Sequence, residues 1–350
     1  MPASSTSLRG PPKFRPRSSQ DACWIPATNN PVRKTFRRRF IVTKILAGLS
    51  AFLIIAWAVI FLGVLPSQLV QAQAEPFTAT PADVGLEYDD VSIPVPDDYL
   101  SLSAWWIPTS SETPKSVILF VHGANANKQD IYFGALEYYA ELTSQGHHVL
   151  ALDLRNHGNS DPTPDRLLTF GREESRDISA TLTLIETLAP GLPIIGSGVS
   201  MGGATLIEAA AKDDRLAALV LIDPLLDIRS AMMGGMLAIT GLPKSLLKPT
   251  LWSATTFFGL GDADPTLLEV AGSLQLPILI IQDPGDPITR AEFSSQLAEH
   301  NTGVLYHLVP PAPADHPVIV QSGRWGSHVG AFHLHREEVM GEVNRFLAAL

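Results

Sequence analysis

The chain has 350 residues, of which 45% are hydrophobic, so most of it is expected to bury a core. Its net charge of −10 is divided unevenly: residues 1–44 hold ten Lys or Arg and one acid, whereas the other 306 residues hold 15 basic and 34 acidic side chains. An acidic folded region argues against nucleic acid as the main partner, because phosphate binding depends on cationic contacts.

The basic segment, residues 1–44, opens the chain, and its first 32 residues are rich in Pro, Ser and Arg. This composition predicts a disordered tail whose charge suits anionic lipid headgroups. The only cysteine, Cys23, lies in this segment. The rest of the chain can therefore form neither a disulfide nor a cysteine-based metal site.

An uncharged apolar segment follows at residues 45–65. A helix of this length, at about 1.5 Å per residue, just crosses a hydrocarbon core of roughly 30 Å, so we predict a transmembrane helix. Basic residues precede it, and residues 66–114 contain no Lys or Arg. This asymmetry predicts a single-pass protein with a cytoplasmic N-terminus and an extracytoplasmic domain, periplasmic or extracellular. The alternative is a signal peptide cleaved near Ala74, which would release a secreted domain.

A polar linker is predicted at residues 66–82, and a single folded domain at residues 83–350. Two alternating segments predict an opening antiparallel pair, and short apolar runs then alternate with helical patterns. This order indicates an α/β fold with a mostly parallel, doubly wound sheet. The predicted pair comprises residues 88–93 and 100–106, the later strands residues 117–121, 149–152, 194–196, 219–222, 278–281 and 306–309, and the helices residues 130–144, 173–188, 201–211, 290–300 and 336–350.

An apolar insertion from residue 225 to about 264 interrupts this alternation. It contains Met232, Met233 and Met236 together with several glycines. Its length exceeds that of an ordinary connection between a strand and a helix.

A serine between glycines, in the sequence GVSMG over residues 198–202, follows a predicted strand and opens a predicted helix. In this context the pattern predicts a sharp turn with Ser200 at its apex as a nucleophile, because glycines remove side chains that would clash there. The amide of Met201, at the helix start, is predicted to face an oxyanion.

A second oxyanion donor is predicted in the sequence HGA over residues 122–124, which ends an earlier strand. Glycine there lets the backbone swing so that the amide of Ala124 reaches the reacting carbonyl. His122 itself is predicted only to order the loop.

An acid is needed to orient the base that activates a serine hydroxyl. Two aspartates follow the predicted strand at residues 278–281, where open α/β sheets place their sites. We choose Asp286 for this role. Asp283, closer to the strand, is the alternative and is also suited to cap the turn.

Five histidines after residue 300 are candidates for the base: His307, His316, His328, His333 and His335. His307 falls in a predicted strand, and the last two approach the final helix. Position therefore favours His328, in a loop of small residues. His316, in a proline-rich loop, is the alternative.

These pieces together resemble the α/β-hydrolase superfamily, nearest to serine aminopeptidase-like, monoacylglycerol lipase-like and Bem46-like esterases. The resemblance covers roughly residues 83–350, and the order serine, aspartate, histidine also matches. It implies that the insertion at residues 225–264 is a small helical cap, the alternative being a membrane-contacting or merely buried helical pair. It rests on the loop at His122, the Ser200 turn with its additional Gly203, the Asp286 and His328 loops, and the sequence DLRNHGNS over residues 153–160.

The sequence DLRNHGNS resembles a recurrent structural loop of this superfamily. Asp153, Arg155 and His157 are therefore not expected to be catalytic. Asn156 stands where the family usually has glycine.

The expected function is a membrane-anchored serine hydrolase that cleaves a carboxylic ester through an acyl-enzyme, without a metal or organic cofactor. Methionine-rich apolar surfaces adapt to flexible chains, which favours a hydrophobic or lipid-like ester as substrate. Peptidase and thioesterase activities stay open, as does the oligomeric state. The alternative from another class is a catalytically silent hydrolase fold that acts as a binding or scaffold protein at the membrane.

Overall fold

A computed structural model describes residues 31–73, 75–260 and 265–350. The predicted disordered tail up to residue 30, including Cys23, the predicted cleavage site at Ala74 and residues 261–264 of the insertion lie outside the described residues. The chain divides into two compact units that meet in the sequence between Ala56 and Trp57.

A long apolar helix opens the described chain. Helix α1 runs Pro31–Val59, a π-helical turn follows at Ile60–Val64, and helix α2 runs Leu65–Val70. The stretch Thr35–Val70 is long and apolar enough to cross a membrane. A signal sequence near the N-terminus would meet the same criteria of length and composition. The helical stretch extends beyond the predicted segment, residues 45–65, at both ends, where polar residues are also helical.

The second unit is built on an eight-stranded sheet with helices on both faces, as the pattern of alternating elements predicts. The strands are β1 (Asp89–Val95), β2 (Leu100–Ile107), β3 (Ser116–Val121), β4 (His147–Leu152), β5 (Ile194–Val199), β6 (Leu216–Ile222), β7 (Ile278–Gln282) and β8 (Val304–Leu308). The helices are α3 (Ala135–Ser144), α4 (Glu174–Leu188), α5 (Met201–Ala210), α6 (Ile228–Thr240), α7 (Lys244–Phe257), α8 (Leu267–Ser273), α9 (Ala291–His300), α10 (Pro317–Ser322), α11 (Ala331–Leu334) and α12 (Arg336–Ala349).

The strand order is β1-β2-β4-β3-β5-β6-β7-β8. Strand β2 pairs antiparallel with both β1 and β4, and the strands from β3 to β8 are parallel to one another. Because parallel strands end at the same edge, the loops that follow β3, β5 and β7 lie on one side of the sheet.

Alternation along the buried strands supplies the cores on the two faces. In β3, Val117, Leu119 and Val121 join one apolar cluster, whereas Ile118 and Phe120 join the other. Both faces are covered, which explains why the parallel strands read as continuous apolar runs.

Several elements depart from their predicted bounds: β5 ends three residues later and β6 begins three residues earlier than predicted, and α3 departs most. Helix α3 begins at Ala135 and not at Asp130, because Gly134 adopts a left-handed φ of 84° and Asp130 accepts a hydrogen bond from the Phe133 amide in the preceding turn. Strand β8 begins two residues before the predicted Tyr306.

The apolar insertion contains two helices, α6 and α7, which pack on each other. Asp227 caps α6 by accepting a hydrogen bond from the Ser230 amide at 2.6 Å, and Gly241 ends it with a left-handed φ of 65°. We call α6 and α7 the insertion pair.

Candidate active site

Ser200 occupies the sharp turn between β5 and α5. Its φ of 50° and ψ of −115° are a strained combination for a residue with a side chain. A Cβ at Gly202 would lie 2.0 Å from the Val121 carbonyl oxygen, and one at Gly198 would lie 2.7 Å from the Gly202 backbone. Glycine is therefore required on both sides of the serine for the turn to form.

Three predicted site residues lie in one hydrogen-bonded chain. His328 Nδ1 donates to Asp286 Oδ2 at 2.8 Å, which leaves Nε2 free to accept from Ser200 Oγ at 3.2 Å. Asp286 and Ser200 are buried, whereas 12% of the His328 side chain remains exposed. An alcohol next to a neutral imidazole that is held by a carboxylate is the arrangement that activates a serine.

The loop after β7 holds Asp286 through further contacts. Its Oδ1 accepts hydrogen bonds from the amides of Ile288 and Thr289 at 2.7 and 3.0 Å, and its Oδ2 accepts from Thr289 Oγ1 at 2.6 Å. These contacts fix the direction in which the carboxylate points. The imidazole is thereby held in one tautomer and one orientation.

The alternative acid and bases have other partners. Asp283 Oδ1 accepts the Gly285 amide at 2.6 Å and so closes the turn. His316 Nδ1 accepts the Val318 amide at the start of α10, and His307 pairs with Glu338 at 2.9 Å on the edge of the sheet. None of these contacts leads to Ser200.

Asp223, directly after β6, is a buried acid in this region that no motif marks in the sequence. Its Oδ1 accepts hydrogen bonds from the Asp283 amide at 2.8 Å and the Gln282 side chain at 3.0 Å. Burial raises the pKa of Asp223 well above the usual range of a carboxyl group, and the charge of Asp286 raises it further. The place of Asp223 at the carboxyl end of a parallel strand was the available signal.

The loop after β3 passes beside the serine. A Cβ at Gly123 would lie 3.5 Å from the Ser200 Cβ, so the loop passes close to Ser200 just before Ala124. Met201 is the first residue of α5. Ala124 after Gly123 and Met201 at the helix start are the two sequence positions from which oxyanion donors are drawn in this type of turn.

Two buried histidines hold this loop. His122 Nε2 accepts the Leu154 amide at 3.2 Å, and its Nδ1 donates to the Gly123 carbonyl at 2.7 Å. His157 likewise uses Nε2 for the Asn125 amide at 3.2 Å and Nδ1 for a carbonyl. Burial lowers the pKa of both imidazoles, so both are neutral and serve the backbone.

The loop over residues 153–160 is held by buried charge pairs. The Asp153 carboxylate accepts hydrogen bonds from both the backbone amide and the ammonium group of Lys128. Arg155 forms a 2.7 Å ion pair with Asp177. Asn156 adopts a left-handed φ of 68°, which asparagine tolerates better than most residues. This conformation explains why asparagine can replace the glycine of related loops.

The described ranges contain no group of three or more His, Cys, Asp or Glu side chains arranged to hold a metal ion. A second serine–histidine pair lies elsewhere, at the opposite edge of the sheet. There Ser116 Oγ and His147 Nδ1 lie 2.7 Å apart, at the first residues of β3 and β4.

Comparison with known proteins identifies the fold. The model of the α/β-hydrolase family matches residues 118–339. An esterase of Pyrococcus furiosus superposes with a TM-score of 0.65 at 24% identity, over 80% of this chain and 97% of its own. Est1E from Butyrivibrio proteoclasticus, solved with ferulic acid, gives 0.52 at 18% identity over 74% and 99%, and a thermophilic esterase of Thermogutta terrifontis gives 0.51 at 17% over 75% and 98%.

No curated protein sequence matches the chain. The solved structures are distant, so their likeness concerns the fold alone, a mostly parallel eight-stranded sheet with an antiparallel start. The family model, however, spans more than half of the sequence. The chain therefore belongs to the α/β-hydrolase family, as the resemblance of its motifs predicts.

Proposed function

We propose that this protein is a membrane-anchored serine hydrolase that cleaves a carboxylic ester through an acyl-enzyme. The observation that carries the proposal is the hydrogen-bonded chain from Ser200 Oγ through the His328 imidazole to Asp286 Oδ2. The strained position of Ser200 between glycines and the membership of the chain in the α/β-hydrolase family support the proposal.

The reaction follows from this geometry. Ser200 Oγ attacks the ester carbonyl while His328 Nε2 takes its proton, and Asp286 stabilises the imidazolium. The amides of Ala124 and Met201 hold the oxyanion. The imidazolium then protonates the leaving alcohol, and water, activated by the same imidazole, releases the acid and regenerates the serine.

One observation favours an ester as substrate, and a second favours a hydrophobic one. Structural relatives of the fold are named esterases. Met232 and Met236 of the insertion pair are buried, and flexible methionine side chains can adapt to acyl chains. Aminoacyl amides and thioesters are the competing substrates in the test below.

Anchoring is proposed from the helix at Thr35–Val70 and the basic residues before it. The proposed organisation is a cytoplasmic tail at residues 1–44, a transmembrane segment at 45–65, a linker at 66–82 and an extracytoplasmic hydrolase domain at 83–350, with a cap at about 225–264. Retention of the anchor, as opposed to secretion after cleavage near Ala74, is supported by the burial of Val70.

The test uses the full-length chain in detergent micelles. A fluorophosphonate reacts only with an activated serine, so we expect it to label Ser200, as mapped by mass spectrometry, and to leave Ser200→Ala unlabelled. Esters, thioesters and aminoacyl amides of increasing chain length then rank the substrates. Equal labelling of Ser200→Ala, or turnover that survives in it, would contradict the mechanism, and an unlabelled wild-type chain would favour a binding or scaffold role.

A further inference from the structure

We propose that helix α7 docks on the surface of the lipid bilayer where the apolar helix ends and that the hydrolase draws its ester substrate from that bilayer. The docking surface consists of three exposed apolar side chains of α7: Leu246, Trp252 and Phe257. This inference rests on the membrane anchor in the proposed function, and it adds the side of the domain that faces the lipid and the source of the substrate.

The end of the apolar helix is held directly against α7. The π-helical turn at Ile60–Val64 and helix α2 both pack on α7. The fully buried hydroxyl of Ser253 on α7 donates to the Leu62 carbonyl at 2.6 Å. Packed helices lie about 8–10 Å apart, so α7 lies within that distance of the point where the predicted transmembrane segment ends.

The side chains of the docking surface have the chemistry of a membrane interface. Trp252 is 54% and Phe257 67% exposed, and their rings pack edge to face with centroids 5.4 Å apart. Tryptophan is enriched at the level of lipid headgroups, and Trp, Phe and Leu form the apolar faces of helices that lie in the membrane interface. Lys244 and Lys248, exposed on the same helix, can extend to those headgroups.

The chain between the anchor and the candidate active site is short and hydrogen-bonded to the domain. The Val70 carbonyl accepts the Leu168 amide at 2.7 Å, and the Gln73 amide donates to Asn125 Oδ1 at 2.8 Å. Asn125 follows the proposed oxyanion donor Ala124. Three residues after the apolar helix ends, the chain thus reaches the loop beside Ser200, which favours long-chain esters dissolved in the bilayer as substrates.

Position relative to the bilayer can be measured without activity. The full-length chain with Cys23→Ser is reconstituted into phosphatidylcholine vesicles, and a bimane fluorophore is attached at Trp252→Cys, Leu53→Cys or Glu112→Cys. A nitroxide on the lipid acyl chain quenches only fluorophores at the membrane. Leu53 reports on the anchor. Glu112 is exposed in the loop before β3 and reports on the amino edge of the sheet, opposite the edge that carries Ser200.

We expect quenching at Leu53→Cys and Trp252→Cys that exceeds quenching at Glu112→Cys by about threefold or more. Quenching at Leu53→Cys with none at Trp252→Cys would overturn the docking surface and leave the anchor intact. Absence of quenching at both positions would overturn the anchor as well. Neither result bears on the chemistry of Ser200, which the fluorophosphonate test addresses.

A second experiment measures use of the surface. For Trp252→Ser with Phe257→Ser, we expect the ratio of activity on a long-chain ester in vesicles to activity on a soluble short-chain ester to fall about tenfold, because lost apolar burial weakens the contact with lipid. The matched control removes two exposed apolar side chains of β8, Leu305→Ser with Leu308→Ser. This control should keep the ratio of the wild type. An equal fall in both variants would contradict the proposal.

Discussion

Two serine–histidine pairs lie at opposite edges of the same sheet, and the shorter contact is the one whose imidazole has no carboxylate partner within the described ranges. Ser116 and His147 are 2.7 Å apart, whereas Ser200 and His328 are 3.2 Å apart. Among the described residues, only the second of these imidazoles has an ion pair with a carboxylate, at Asp286. A short contact between a hydroxyl and an imidazole is therefore not a sign of an activated serine by itself.

The two pairs differ in backbone and in position. Ser200 has a φ of 50° at the start of a helix, whereas Ser116 lies in the extended backbone of β3. The pair of Ser200 and His328 faces the loops at the carboxyl edge, where α/β sheets bind ligands, and the pair of Ser116 and His147 lies at the amino edge. We therefore expect activation to depend on the acid, the strained turn and the edge of the sheet together.

The largest expected contrast comes from removing each imidazole. His328→Ala should lower kcat for a p-nitrophenyl ester by about 10⁵-fold, because the serine loses its base. His147→Ala should keep kcat within about threefold of the wild type, since it acts on no proposed reacting group. Steady-state kinetics of the two variants test this contrast. A comparable loss of kcat in both would mean that the two pairs are not functionally distinct.

The acid gives the next contrast. Asp286→Asn retains an oxygen for the amides of Ile288 and Thr289 but removes the charge that stabilises the imidazolium, so kcat should fall by about 10³–10⁴-fold. Asp283→Asn is the matched control, and its kcat should fall by less than about tenfold. The opposite order of the two losses would assign the acid to Asp283.

Strain in the turn predicts opposite changes in stability at the two serines. Ser200→Gly should raise the free energy of unfolding by about 1–2 kcal/mol, because glycine adopts a φ of 50° without steric conflict. Ser116→Gly should lower it by about 1 kcal/mol or more, because glycine weakens a strand and the hydrogen bond to His147 is lost. Thermal unfolding in detergent measures both. Destabilisation by Ser200→Gly would show that the turn is not strained.

Acidity should affect the pair without a carboxylate. Burial, reinforced by the positive charge of Lys115, lowers the pKa of His147 to about 4. The unfolded chain binds this proton near pH 6.5, so the stability that a neutral His147 provides is present above pH 6.5 and is lost as the pH falls towards 4.

Between pH 6.5 and 4, the free energy of unfolding should therefore decline less in His147→Gln than in the wild type. The difference between the two declines should be about 1 kcal/mol after allowance for solvent near the ring. Denaturant unfolding of both proteins over this range provides the measurement. His122 and His157 remain in both chains, so their titration cancels in the difference. Identical pH profiles would show that His147 is not held neutral by the fold.

Local patterns in the sequence determined the strands, most of the helices and the serine turn. Apolar runs and helical periodicity depend on each segment alone, and the glycines at residues 198 and 202 mark a turn whose clashes are local. The bounds failed where a single backbone angle decided them, as Gly134 does for the start of α3.

Tertiary structure decided which side chains meet. Ser200 and His328 are 128 residues apart in sequence, and their contact depends on the order and register of the sheet. The same holds for the burial of Asp223 behind Asp286 and for the packing of Ser253 against Leu62. Periodicity reports which face of an element is apolar, but distances between loops depend on how all the elements pack, and no single segment carries that information.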